Sequence, residues 1–143
     1  MIAVDTNLLV YAHRQDNPFH ASARQAITRL AEGRASWAIP WPCLHEFLAI
    51  VTHPRIYSPP STPSQAALQI DAWMESPSLL LLAENEAHWP QLRDLVDKVR
   101  LQGAIVHDAR IAAICMCHGV HEFWSADRDF SRFPGLRLHN PLR

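Results

Sequence analysis

The sequence predicts an α/β fold: a three-layer α/β/α sandwich around a central, mainly parallel sheet of about five strands, built by a single domain over residues 1–143. Two observations predict it. Short apolar runs of strand length alternate with longer segments whose apolar residues recur at helical spacing, and such alternation implies crossover connections between parallel strands covered on both faces. Hydrophobic residues make up 48% of the chain and charged ones 19%. That balance supports one buried core, large enough at this length to need no disulfide or metal staple.

Ile2–Asp5 is an apolar run that ends in an acid, the first strand, and Thr6–Arg14 has helix composition with Thr6 or Asn7 as its cap. A second helix is expected with Asn17 as cap and Pro18 at the first helical position. Its apolar stripe is Phe19, Ala23, Ile27 and Leu30, and Gly33 stops it. Ser36–Pro40 reads as the second strand. Leu44, Phe47, Leu48 and Val51 then recur at helical spacing and leave Glu46 off the stripe, facing away from the core. The Pro- and Ser-rich loop from His53 is closed by a T-x-x-Q capping signature, Thr62 to Gln65, which opens a helix with Ile70, Trp73 and Met74 inward.

Leu79–Glu84 is a continuous apolar run of the kind buried on both faces of a parallel sheet, and Leu92, Leu95, Val96 and Val99 mark a helix ending near Gly103. Another helix spans about Val106 to His118. Glu122–Ala126 and Leu136–His139 are the last two strand candidates, separated by a short helical turn around Asp129 to Arg132. No internal repeat interrupts this order.

Several function classes are disfavoured at once. The longest apolar stretches, such as Ser78–Ala83, are too short to cross a bilayer, and the opening residues are strand-like rather than basic and then apolar, so a cytoplasmic protein with no membrane partner is expected. Cys43, Cys115 and Cys117 form an odd set without C-x-x-C and read as reduced core thiols. Cys115, Cys117, His118 and His121 lie close together but lack the spacing of a structural zinc site. A formal net charge of −1 gives no global basic footprint, so any nucleic-acid binding must come from local patches or metal ions.

The acids are more informative. Asp5 closes the first strand, Glu46 lies early in the helix after the second, Asp108 opens a helix facing the same edge, and Asp127 follows the fourth strand. Ligands in such folds gather outside the carboxyl ends of the strands. Helix capping explains any one acid, but not acids at one sheet edge in four segments. Converging carboxyls raise one another's pKa values and cost stability unless a cation sits among them. Oxygen-only ligands suit Mg²⁺ or Mn²⁺, and the natural substrate of such a centre is a phosphate ester, attacked with two ions or with one ion and a carboxylate base. Asp129 either joins this site, pairs with Arg128, Arg132 or Arg110, or starts the short helix.

Two other readings compete with a nuclease. A haloacid-dehalogenase-type phosphatase also begins with an aspartate after an apolar strand, but Asn7 stands where its general acid is needed. A non-catalytic module would keep the acids only as caps and use its surface to hold RNA or a partner protein. Of the nine histidines, His107, His118 and His121 read as polar groups near helix ends, because metal-activated water needs no imidazole base. Arg14, Arg110, Arg128 and Arg132 are candidates for holding phosphates. Trp37, Trp41 and Trp124, beside strand-like runs, read as core residues rather than base-stacking platforms.

Taken together, "MIAVDTNLLVYA", Glu46, "VHDARIAAICMCHGV" and "FWSADRDFSRFPGLRLHNP" resemble a PIN-domain ribonuclease, the toxin half of a VapBC-type toxin–antitoxin pair, over essentially the whole chain. The D-x-N opening, the H-D-A helix start and the S-x-D-x-D-F ending are specific as an ordered set. The resemblance implies that Asp5, Glu46, Asp108 and Asp127 are the catalytic, metal-binding acids for Mg²⁺ or Mn²⁺, with Asp129 in the same site or behind it. It implies that Asn7 and Ser125 orient ligands or water, Ser125 standing where many members carry threonine. It further implies an endoribonuclease toxin that leaves 5′-phosphate and 3′-hydroxyl ends, forms a homodimer, and is inhibited by a small cognate antitoxin whose C-terminal segment covers the groove.

Overall fold

In a computed structural model describing residues 1–143, five short strands form one sheet: β1 (Ile2–Val4), β2 (Trp37–Pro40), β3 (Leu79–Leu82), β4 (Glu122–Trp124) and β5 (Arg137–His139). All neighbours pair in parallel, in the order β3-β2-β1-β4-β5. The chain therefore moves outward from β1 to β3, then crosses back to build β4 and β5 on the other side of β1. In an open parallel sheet, such a reversal leaves a crevice outside the carboxyl ends of the two strands at the switch. Here those strands are β1 and β4. Val4 lies opposite Trp124, so Asp5 and Ser125 emerge side by side as the first residues beyond the ladder.

Six helices complete the three-layer sandwich: α1 (Thr6–His13), α2 (His20–Glu32), α3 (Trp41–Val51), α4 (Pro63–Met74), α5 (His88–Lys98) and α6 (Ile105–Cys117). A 3₁₀ turn spans Arg128–Arg132. α1 packs on α2 and α3, α3 on α4, and α5 on α6. α4 begins as its sequence requires. Thr62 accepts from the Gln65 backbone N–H at 3.1 Å, and the Gln65 side chain accepts from the Thr62 N–H at 2.9 Å, which satisfies two donors the helix leaves unpaired.

Other local expectations are corrected. α1 is capped by Asp5, one residue before the two candidates, because the Asp5 carboxylate reaches the Thr6 N–H. α2 starts at His20, three residues after Asn17. The Asn17 side chain instead accepts from the Phe19 N–H at 2.9 Å in a local turn that holds Pro18 outside the helix. Phe19 consequently leaves the buried stripe and lies exposed, its ring 5.6 Å from that of Tyr11. α5 ends at Lys98 rather than near Gly103; Val99 is already extended, and Gly103, at φ +63°, makes the turn into α6.

β3 is an edge strand, not one buried on both faces, so Leu80 is exposed while Leu82 is buried. Met74, at the last position of α4, and Val96, off the side of α5 that buries Leu95, are likewise exposed. The free thiols of Cys43 and Cys115 are buried in the apolar core, and Cys117 is half-buried. No helix is long and apolar enough to cross a membrane.

One cluster of buried side chains runs through both layers of helices and the sheet. Phe123 of β4 is fully buried, its ring 4.7 Å from Phe130, which in turn sits 5.8 Å from Phe133. This aromatic stack fixes the 3₁₀ turn, and with it Asp127 and Asp129, against the sheet. Replacing Phe123 with alanine is expected to cost about 3–5 kcal/mol of folding free energy, measured as a lower denaturant midpoint at an unchanged slope.

Candidate functional site

The site is built outward from Asp5. The strand ladder carries it to the switch point, where its N–H donates to the Trp124 carbonyl at 3.0 Å. Its carboxyl group then sits at the start of α1 with only 5% of the residue exposed. Oδ1 accepts from the Thr6 N–H at 2.8 Å, and the Cys43 thiol lies 3.7 Å away. Oδ2 accepts from the Ser125 hydroxyl at 2.7 Å and from the Asn7 amide at 3.3 Å. These donors favour the charged form, but burial outweighs them. Desolvation first, then the nearby carboxyls of Glu46 and Asp108, pushes the Asp5 carboxyl from 3.8 up to about 7.

Ser125 is the hub that ties the two strands at the switch together. Besides donating to Asp5, its oxygen accepts from the Asn7 amide and from the Asp127 N–H, both at 3.0 Å. The Asn7 carbonyl oxygen in turn accepts from the Ala126 N–H at 3.2 Å. α1 is thereby stitched to the segment after β4 across more than a hundred residues. Asp127 caps the 3₁₀ turn, its Oδ1 accepting from the Asp129 N–H at 2.9 Å. Glu46, exposed in the second turn of α3 as its place off the stripe requires, accepts from the Thr6 hydroxyl at 3.0 Å.

The structure brings Asp108, Asp127 and Asp129 closest together, each offering a carboxylate oxygen within 4.8 Å of the others. Asp5 and Glu46 stand outside that trio and join it through the field they share. The half-buried Asp108 carboxyl is raised by desolvation, then by Asp127, Asp129 and Glu46, with Arg132 acting against them. Asp129 fulfils two of the readings open in the sequence. It belongs to the trio and also pairs with Arg132, Nη2 to Oδ1 at 3.1 Å. An all-oxygen set of closely placed carboxyls fits a hard divalent cation, which offsets their mutual repulsion.

Some candidates lie elsewhere. Arg14 is bound to Asp16 at 2.6 Å and stacks over the Tyr57 ring, and Arg110 is paired with Glu84. Each guanidinium already has a carboxylate partner. Trp37 is buried, with its indole N–H on Ser76. Trp41 is not a core residue: it opens α3 at the carboxyl edge of β2 and is exposed, its ring 6.1 Å from His45. His118 satisfies its Nε2 with the Ala83 carbonyl at 2.8 Å, a polar group closing a helix end. Thr6 as the partner of Glu46 and Cys43 as a neighbour of Asp5 escaped the sequence reading. Position 6 follows an acid and read only as a cap, and Cys43 read only as core.

Residues 2–136 match the family model of the PIN domain. The chain belongs to the PIN domain family. The phosphatase reading is thereby overturned, in keeping with Asn7 serving as a donor to Asp5 rather than as an acid. Ribonuclease VapC43 of Mycobacterium tuberculosis is 37% identical over 142 residues, 99% of this chain and 96% of that protein. Among solved structures, VapBC2 from Rickettsia felis bound to a promoter DNA fragment aligns with a TM-score of 0.71 at 21% identity, over 98% of each chain. A toxin–antitoxin complex from Klebsiella pneumoniae aligns with a TM-score of 0.61 at 18% identity, over 99% of this chain and 98% of that one. At those identities the structural likeness speaks for the PIN fold.

Two outcomes follow for the hydrogen-bonded carboxyl at the centre. Ser125→Ala removes a donor from Asp5 and the acceptor of the Asp127 N–H, and is expected to lower stability by about 1–3 kcal/mol in a denaturant titration, with Ser125→Thr close to wild type. Asp5 holds its proton more tightly folded than unfolded, so its contribution to stability is present below 3.8 and lost as pH rises through about 7. In chelator, the unfolding midpoint of the wild type should therefore gain relative to Asp5→Asn as pH falls from about 8 to about 5. An identical pH profile for the two proteins would contradict the burial argument.

Proposed function

We propose that this PIN domain is a Mg²⁺- or Mn²⁺-dependent endoribonuclease, the toxin of a toxin–antitoxin pair, cutting RNA phosphodiester bonds where the acids converge. The observation that carries the reading is the close approach of the Asp108, Asp127 and Asp129 carboxylates beside a buried Asp5 pushed up to about 7. A protein tolerates such repulsion where charge compensation is part of its function. The ribonuclease name of VapC43, similar over nearly its whole length, supports the same activity.

Asp5, Glu46, Asp108 and Asp127 would hold the cation, with Asp129 completing the set or steadying it. When bound, a divalent ion supplies an activated water and stabilises the leaving oxygen of an in-line displacement. The chain's own part is positioning. Ser125 and Asn7 aim the Asp5 carboxylate, Thr6 aims Glu46, and the Asp127-capped turn presents both carboxylates of the D-x-D segment. Asp5 gives up its proton on loading, so affinity for the cation rises with pH through the neutral range. The lack of base-reading features among the acids leaves RNA choice to the walls of the groove.

That a Klebsiella pneumoniae toxin–antitoxin complex shares this fold supports a cognate antitoxin as protein partner, covering the acid groove from outside. A homodimer, and action in the cytoplasm where the RNA is, complete the reading.

The test is direct. Purified protein should cleave RNA with Mg²⁺ or Mn²⁺, stop in chelator, and leave 5′-phosphate and 3′-hydroxyl ends on sequencing. Asp5→Asn and Asp108→Asn should each lower kcat by at least about a hundredfold with the circular dichroism spectrum retained. Cleavage by both variants at the wild-type rate would end the proposal.

A further inference from the structure

The acid site poses an electrostatic problem for its own substrate. Three carboxyls cluster at the site, with Asp5 and Glu46 coupled to Asp108, in a chain of net charge −1, and RNA is a polyanion, so cations must flank the site if the strand is to be held before and after cleavage. Two of the four arginines considered for that task, Arg14 and Arg110, are committed to Asp16 and Glu84. Arg132 is placed differently. Its Nε donates to the Asp129 carbonyl at 2.9 Å and its Nη2 reaches the Asp129 carboxylate at 3.1 Å, bonds that engage one edge of the guanidinium and leave Nη1.

Arg132 also lines an open pocket together with Val99, Arg100, Gln102 and Ile105. Arg100 enters that pocket from the connector between α5 and α6. Its Nε donates only to the neutral Gln102 amide, at 3.1 Å, so nothing anionic offsets its charge there. The wall shared with the acids is the start of α6: Ile105 opens the helix, and its first turn carries Asp108. The pocket therefore reverses the composition of the acid trio beside it. Two guanidiniums face one space, and of the two only Arg132 has a carboxylate partner, an arrangement favourable around an anion.

We propose that Arg100 and Arg132 form a phosphate subsite that takes a backbone phosphate of the RNA strand next to the one being cleaved. The inference rests on the ribonuclease reading for the identity of its anion and goes beyond it by assigning where the strand leaves the acids. A guanidinium fork matches phosphate oxygens in pairs and reads no base, so the subsite contributes affinity and register rather than sequence choice. Arg132 bridges the two sites, holding Asp129 on one edge and the strand on the other. Arg100 is purely a strand contact.

The test measures binding of a single-stranded oligoribonucleotide in chelator by fluorescence anisotropy across a salt series, so that cleavage plays no part. Arg100→Ala should raise Kd about tenfold, for oligonucleotides of different sequence alike. It should also reduce the slope of log affinity against log salt by about 0.7, the release from one single-strand phosphate. Arg100→Lys should keep the slope and lose part of the affinity, because the charge remains and the fork does not. Arg93→Ala, on the exposed side of α5 where Arg93 pairs with Asp97, should match wild type. If Arg100→Ala binds RNA with unchanged Kd and salt slope, the subsite is overturned, as it would be if the pocket held an acidic protein segment instead. Loss of metal-dependent cleavage in the wild type would strike the ribonuclease reading alone, since the binding series is read without metal.

Discussion

Mutual repulsion among carboxyls is the constraint that shapes this molecule. Asp5 is almost wholly removed from water, and Glu46 and Asp108 lie near enough to make its ionisation harder still. Around Asp5 the scaffold answers with donors fixed by covalent geometry and strand pairing rather than with lysine or arginine. The Thr6 N–H, the Asn7 amide and the Ser125 hydroxyl all point at Asp5. Neutral donors orient a carboxylate without neutralising it, so the charge stays available to a ligand. An arginine beside Asp5 would have held its carboxylate in a fixed ion pair.

The parts legible in the sequence were those in which local chemistry and tertiary demand agree. The strand–helix alternation pointed to the parallel sandwich, the T-x-x-Q box to the start of α4, and the placing of Asp108 and Asp127 at a helix start and a strand end to their close approach. What remained hidden depends on sheet order. Leu79–Leu82 is as apolar as an inner strand, but nothing within those residues says that β3 has a single neighbour, which is why the exposure of Leu80 was missed. Trp41 misled for a related reason. It follows a buried strand directly, yet as the first residue of α3 it stands beyond the sheet, where only a ligand or partner would cover it.

The helix starts show the same competition on a smaller scale. Asn17, Pro18 and the apolar stripe form a plausible opening for α2, but Asn17 spends its side chain on the Phe19 N–H and its carbonyl on the His20 N–H, making a turn before the helix instead of its first residue. At α1, the chain uses the catalytic candidate Asp5 as the cap, so one carboxyl carries both a structural bond and the site's charge. Capping and ligation are often set against each other when an acid is read from sequence. Here they are compatible because Oδ1 serves mainly the helix and Oδ2 faces Ser125 and Asn7.

The distribution of the acids along the chain ties the site to global folding. Asp5 is near one end, Asp127 near the other, and Ser125 links them only when β4 docks beside β1. No fragment holding a single strand can assemble the cluster. Any ligand that binds the assembled acids and not the unfolded chain therefore stabilises the whole domain by mass action, not only a loop. The reverse follows as well. The aromatic stack of Phe123, Phe130 and Phe133 joins β4 to the turn that carries Asp127 and Asp129, so loss of packing there displaces the carboxylates together with the strand. In this fold the precision of the site and the stability of the β1–β4 junction are one quantity, because the same few hydrogen bonds set both.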